Sequence, residues 1–235
     1  LQPLLARVEK PSRYIDHEWG TRSSQEADYR ACLIYPDVYE VGLPNQGIAI
    51  LYAALNREDG ISCERSYVPW IDMADEMRAA GVPLLSLEGA APVASFDVVG
   101  LHVPHEMAAT NYLEALDLAG IPLLARERGE DDPLVIAGGP SVYNPEPIAE
   151  IFDCILIGEG EEHIVELCRE HRRLRDAGAS RTEMLRALAC VPGTYVPSLY
   201  EVSYHEDGTI DRVEPTHGAP AMVQKRIVKD LDTMY

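Results

Sequence analysis

The sequence predicts an α/β domain built on a doubly wound parallel sheet, and two observations carry the prediction. Short apolar runs recur along the chain, each closed by Pro or Gly, and most are followed by a stretch whose apolar residues share one helical face. Strand–helix repeats of this length require right-handed crossovers between parallel strands, which puts helices on both faces of the sheet. Units of this kind run from about Arg30 to Gly178, and a small helix and β-hairpin appendage follows.

Residues 1–29 are polar and irregular and read as an arm packed on the domain. Ala31–Tyr35 is the first strand, ended by Pro36. After Asn45, a plausible helix N-cap, Ile48, Leu51, Tyr52 and Leu55 fall on one face. Pro36 to Asn45 therefore lies outside the carboxyl end of a strand, where open parallel sheets bind ligands. Cys63–Val68, closed by Pro69, is a second strand. A helix over Asp72–Ala80 presents Met73, Met77 and Ala80 and stops at Gly81, ahead of the short apolar run Val82–Leu87. Asp97–Val103 is a strand closed by Pro104, and Ala109, Tyr112, Leu113, Leu116 and Ala119 then trace a helix that Gly120 ends. Leu134–Ala137 runs into Gly138-Gly139-Pro140. Cys154–Ile157 runs into Gly158-Glu159-Gly160-Glu161, followed by a helix with Ile164, Leu167, Cys168 and His171 on one side.

Beyond Gly178 the character changes. Ser180 and Glu183 form a capping-box pattern ahead of Met184, Leu185 and Leu188. Tyr200–His205 and Thr209–Val213 flank Asp207-Gly208, a favoured pair for a tight hairpin turn. Residues 179–221 are thus an appendage, and 222–235, mixing charged and apolar side chains, read as a linker.

With 235 residues, 46% of them hydrophobic, the chain can bury a substantial core. The formal charge of −19, with no clustered Lys and Arg, argues against nucleic-acid binding and against an anionic membrane surface. No apolar run approaches the roughly 20 residues that span a bilayer. The first residues lack the order of a signal peptide, so a cytoplasmic location is expected. The cysteines, Cys32, Cys63, Cys154, Cys168 and Cys190, are odd in number and widely spaced, which favours free thiols over disulfides. No CxxC or CxxxCxxC occurs, so the chain carries no recognisable iron–sulfur or zinc motif of its own.

Several groups of residues could serve a ligand. Asp37, Tyr39 and Glu40 crowd the first loop, although carboxylates there also bond nearby amides. Gly138-Gly139 before Pro140 allows backbone to approach a ligand, and also suits a simple turn. Gly158-Glu159-Gly160 lacks the third glycine of a dinucleotide fingerprint, since His163 stands in that position. His102, His105 and Glu106 do not make a metal site, because Pro104 separates the imidazoles. Cys168 and His171 share a helix face that reads as packing. No nucleophile–base pair emerges, so no catalytic residue is expected in this chain.

Taken together, the run Tyr35-Pro36-Asp37-Val38-Tyr39-Glu40-Val41-Gly42, the strand Phe96 to Gly100, the turn Ile136 to Pro140 with Asn144-Pro145-Glu146-Pro147, and Ile157-Gly158-Glu159-Gly160-Glu161 resemble the amino-terminal cobalamin-binding-type domain of radical S-adenosylmethionine proteins. The resemblance extends from Leu4–Tyr14 to Lys225–Asp232. It implies a flavodoxin-like fold with strand order 2-1-3-4-5. It also implies a partner, a radical S-adenosylmethionine barrel with a [4Fe-4S] cluster, following in the same protein. The implied cofactor here is cobalamin. On this resemblance Asp37, Val38, Tyr39, Glu40 and Gly42 face the corrin, His102 and Val103 flank the nucleotide-tail slot, Gly138 and Gly139 let the tail pass the backbone, and Pro140, Gly158, Glu159 and Gly160 belong to the same cofactor-binding set. Cobalamin domains with a histidine lower ligand carry Asp-x-His-x-x-Gly, and here Tyr39 stands at the His position. Tyr supplies no imidazole nitrogen, so a bound cobalamin would lack a histidine ligand. The alternative is a cofactor-free docking or substrate-recognition domain that keeps the fold. An open apolar slot at the strand ends favours the first reading, and one filled by Tyr39, His102 and Tyr143 favours the second.

Overall fold

The computed structural model describes residues 1–16, 18–21 and 27–230. Eight strands are present among them: β1 Tyr29–Tyr35, β2 Ile61–Tyr67, β3 Val98–His102, β4 Leu134–Gly138, β5 Cys154–Leu156, β6 Thr194–Tyr195, β7 Tyr200–Tyr204 and β8 Ile210–Pro215. The first six form one sheet in the order β2-β1-β3-β4-β5-β6. β1 to β5 are mutually parallel, as the apolar runs and the resemblance imply. β6 pairs antiparallel to β5 and is an addition to the expected five: at two residues it is too short to leave a hydrophobic period. β7 and β8 form the separate hairpin around Asp207-Gly208. Val82–Leu87 contributes only an isolated bridge, Leu85 to Pro92.

The helices are α1 Gln2–Leu5, α2 Tyr39–Gly42, α3 Gln46–Leu55, α4 Ile71–Ala80, α5 Ala109–Ala119, α6 Gly160–Asp176 and α7 Arg181–Leu188. Asn45 caps α3 by accepting the Ile48 amide at 3.0 Å, a contact worth about 1 kcal/mol. Ser180 and Glu183 complete their capping box at the start of α7. Gly81 and Gly120 end α4 and α5 in the left-handed conformation.

Strand alternation divides the core in two. Cys32, Ile34, Val99, Leu101, Val135 and Ala137 face α4 and α5, whereas Ala31, Leu33, Val98, Leu134, Ile136 and Leu156 face α3 and α6. The arm is more apolar in its contacts than its composition suggests: Leu4 is buried, and Leu1, Leu5, Val8 and Tyr14 pack against the α4/α5 side. His17 and residues 22–26 of the arm, and 231–235 of the expected linker, lie outside the described residues.

β2 carries charged residues yet is buried along its whole length. Burial of this kind demands partners. Glu64 accepts from Ser86 and from the Gly89 amide, and Arg65 pairs with Glu88 at 2.7 Å and Glu18 at 2.6 Å. A second buried network joins Asp153 to Arg128 at 3.0 Å and Arg181 at 2.8 Å, tying the residue just ahead of β5 to α7.

Candidate functional site

The α3/α6 side of the sheet contains a trough at its carboxyl edge. Register places Leu33, Gly100, Ile136 and Cys154 in one row, and His102, Gly138 and Leu156 in the next. Side chains from alternate strand positions share a face, so two glycines occupy positions where neighbouring strands project large groups. The roof is thinned in the same way by Gly47 in α3 and Gly160 at the start of α6. The result is a half-open cavity of about 160 Å³ between floor and roof, lined mainly by apolar atoms, with Ile48, Leu51 and Ile164 overhead. Its size is close to that of an engineered cavity of about 150 Å³ that holds benzene.

Two glycines differ in what fixes them. A Cβ at Gly138 would approach only the Leu156 Cβ, at 4.0 Å, so its trace of empty space belongs to the cavity. At Gly139, φ is +128°, and a Cβ would lie 2.8 Å from the Val103 carbonyl oxygen. Glycine is required there by the backbone itself. Val103, on the opposite face, donates its amide to Gly138 at 2.7 Å, and Pro140 opens the short turn Pro140–Tyr143.

Two polar side chains reach the cavity. His102 stacks on Tyr35 with ring centroids 5.3 Å apart, and burial lowers its pKa, which keeps the imidazole neutral. Glu161, in the first turn of α6, lines the other wall. Its Oε2 is buried and has no hydrogen-bond partner among the described residues.

The remaining expected residues have other partners, Gly158 in addition to its place in the cavity lining. Asp37 bonds the Val38 amide at 2.7 Å, and with Val38 it edges a cleft between α4 and α5. Tyr39 packs edge-on against Tyr67, 5.4 Å between centroids. Burial, with a hydrogen bond to Glu18, pushes its hydroxyl up to about 12. Glu40 pairs with Arg13 at 2.8 Å and Lys10 at 3.4 Å, so the arm holds this loop. Gly42 is closed in by the rings of Tyr67 and Tyr35. Gly158 and Glu159 serve the chain's own end: the Glu159 amide donates to the Arg226 carbonyl at 3.1 Å, the Arg226 amide to the Ile157 carbonyl at 2.8 Å, and the Glu159 carboxylate accepts from the Val228 amide. A Cβ at Gly158 would collide with the Arg226 backbone. The segment read as a linker thus returns to the sheet edge.

Among the expected residues, the cavity therefore unites His102, Gly138, Gly139, Gly158 and Gly160, and leaves out the Asp37–Gly42 loop. Sequence reasoning missed Gly47, Gly100 and Glu161. A glycine inside the strand pattern Val98-Val99-Gly100-Leu101 was the available signal, since strand glycines mark close approach.

Around this edge, Val41, Trp70, Ile71, Met107 and Tyr143 are exposed, and they come from the loops after β1, β2, β3 and β4. Among the described residues no group of three or more His, Cys, Asp or Glu side chains could hold a metal ion. No helix there is long and apolar enough to cross a membrane.

A family model described as radical SAM proteins, N-terminal, matches residues 47–197, well over half of the chain. The chain belongs to this radical SAM N-terminal family. The matched span starts in α3 and ends just beyond β6, so it takes in both glycine rows of the trough and the α6 roof. The Asp37–Gly42 loop, with Tyr39, lies outside it. No curated protein matches the chain.

Proposed function

We propose that this radical SAM N-terminal domain is a cobalamin-holding module, with the cofactor's nucleotide tail entering the glycine-lined trough. The observation that carries the reading is the open cavity at the carboxyl ends of β1, β3, β4 and β5, where Gly138 leaves the space of a side chain open, while the Leu33 and Ile136 side chains close over Gly100. Had the slot been filled by Tyr39, His102 and Tyr143, the docking reading would have stood ahead. Instead Tyr39 is turned onto Tyr67, Tyr143 is 58% exposed, and of the three only His102 lines the cavity, which stays half-open.

The fit of the residues to the group is partial in an informative way. The half-open apolar cavity supports a cradle for the tail. A protein imidazole for cobalt is not offered by the Asp37–Gly42 loop, since Tyr39 stands there and holds its proton to about pH 12. Leu33, Gly100, Ile136 and Gly138 would form the floor, and Ile48, Leu51 and Ile164 the roof. His102 would stay neutral beside the tail. Cobalamin, when bound, supplies the methyl-carrying chemistry of its cobalt. This chain's residues would bind, orient and exclude water, while the [4Fe-4S] cluster and S-adenosylmethionine would belong to the radical SAM domain.

A docking role has its own support in the exposed apolar residues Trp70, Ile71, Met107 and Tyr143 at the same edge, where an apolar surface marks a contact site. Titration of the purified domain with hydroxocobalamin, followed by its visible spectrum, separates the readings. Saturable binding without the signature of histidine coordination supports the module. Absence of binding leaves the docking surface as the function.

A further inference from the structure

We propose that the chain carries a second binding site, at the opposite edge of the sheet from the trough, which takes the phosphate group of a small molecule. This goes beyond the cobalamin reading and does not depend on it.

The inference starts from where the positive charge collects. The chain has a formal charge of −19, yet four of its arginines line one cleft of about 300 Å³. They come from two distant places. Arg126 and Arg128 stand in and just after the short turn Ala125–Glu127, and Arg181 and Arg186 belong to α7. Asp153, at the amino end of β5, joins the two segments: Arg128 pairs with it at 3.0 Å and Arg181 at 2.8 Å. It is the one acidic side chain among the described lining residues. One carboxylate therefore answers two guanidinium groups, which stay charged at any ordinary pH, and the floor of the cleft keeps an excess of positive charge. Arg128 is buried, so it contributes charge and not contact.

The rim supplies the contacts. Arg186 is exposed and has no ion pair among the described residues, since Glu183, close to it in α7, is committed to the capping box. Arg126 reaches Glu150 only at 3.6 Å, with the two side chains 65% and 77% exposed, and a pair of that kind holds little. Thr182 and Ser198, both exposed, bring hydroxyl groups to the same cleft. His217 adds an imidazole from a turn in which its φ is +52°, a left-handed position that favours Asn, Asp or Gly.

The ligand class follows from this set of donors. A carboxylate is planar and is satisfied by one guanidinium fork, whereas a phosphate group offers three strong acceptor oxygens. Here donors converge from four separate segments: the 125–128 turn, α7, Ser198 and His217. Leu185 and Leu199 give the lining an apolar strip for the organic part of a phosphate ester. The volume is at the lower end of small-molecule sites, and a nucleic-acid backbone would need an extended basic track in place of a single cleft.

Calorimetric titration of the whole domain, in a phosphate-free buffer at fixed chloride, tests the site with inorganic phosphate, glycerol 3-phosphate and succinate. The proteins are the unmodified chain, Arg126→Gln, Arg186→Gln and, as a control for net charge, Arg173→Gln, which removes an exposed arginine paired with Glu170 on α6. Thermal melts confirm that each variant folds. The expected result is saturable binding of one phosphate or phosphate ester per chain, succinate weaker by about tenfold or more, and a loss of about tenfold in each cleft variant, with Arg173→Gln unchanged. Tighter binding of the ester names an organic phosphate as the ligand, and tighter binding of inorganic phosphate names the free ion; either supports the site. Equal binding of succinate, or equal losses in all three variants, would show a diffuse counter-ion effect and overturn the proposal. Absence of saturable phosphate binding, or binding that Arg126→Gln and Arg186→Gln leave unchanged, would overturn it as well.

Discussion

Replacing Gly138 with Ala separates the cavity from the fold that makes it. Gly138 is the last residue of β4, paired to His102 on one side and Leu156 on the other. A Cβ there meets nothing nearer than the Leu156 Cβ at 4.0 Å, so the folded chain accepts the methyl without strain. Alanine in a strand interior loses less conformational freedom than glycine, and the variant is expected to be more stable by about 0.5–1 kcal/mol. The methyl projects into the trough. An extra methyl in a packed site costs about 1–3 kcal/mol, so hydroxocobalamin affinity should fall roughly 5- to 150-fold, at 1.4 kcal/mol per factor of ten. Urea denaturation reads the first effect and a spectral titration the second. Unchanged affinity in a variant of equal or greater stability would refute the assignment of the tail to this trough.

Gly139→Ala should behave in the opposite way: with φ at +128° and a contact of 2.8 Å to the Val103 carbonyl, it should lose at least about 2 kcal/mol of stability, and an unshifted urea midpoint would contradict this. His163 and His171 are buried and held neutral, each lowered to about 4 by burial. Because the unfolded chain takes up their protons near pH 6.5, their contribution to stability is intact above that value and is lost as pH falls towards 4, about 2 kcal/mol each at pH 5. Denaturation midpoints measured between pH 7 and 5 should therefore decline, and the decline should shrink in His163→Gln or His171→Gln. Of the five cysteines, only Cys190 is exposed, so a thiol reagent should modify one group in the native protein and the other four only on unfolding; fast reaction of a second thiol would contradict the burial of the other four.

The sheet was legible because parallel strands buried on both faces leave unbroken apolar runs, and β1, β3, β4 and β5 all do. The ends of α3, α4, α5 and α7 were legible from Asn45, Gly81, Gly120 and the Ser180–Glu183 pair, whose cap chemistry is local. β6 was not, since Thr194-Tyr195 gains its strand character only by pairing with Ile155 and Leu156. The site divided along similar lines. Gly138 and Gly139 stood out in sequence because adjacent glycines are conspicuous. Gly100 joins them only through strand register, and Glu161 lines the cavity while Glu159 accepts from the Val228 amide, a distinction that spacing alone does not carry. The Asp37–Gly42 loop drew attention by position, and its partners Arg13 and Tyr67, which come from distant parts of the chain, were not legible from its own sequence.

Backbone amide chemical shifts of the ¹⁵N-labelled domain, followed during titration with diamagnetic hydroxocobalamin, test the central claim most directly. The account predicts that the perturbed amides centre on Gly100, His102, Gly138, Gly139, Gly160 and Glu161, the floor and roof of one cavity. Perturbation confined to the Trp70–Ile71 and Met107 surface, or no perturbation at saturating concentration, would contradict it.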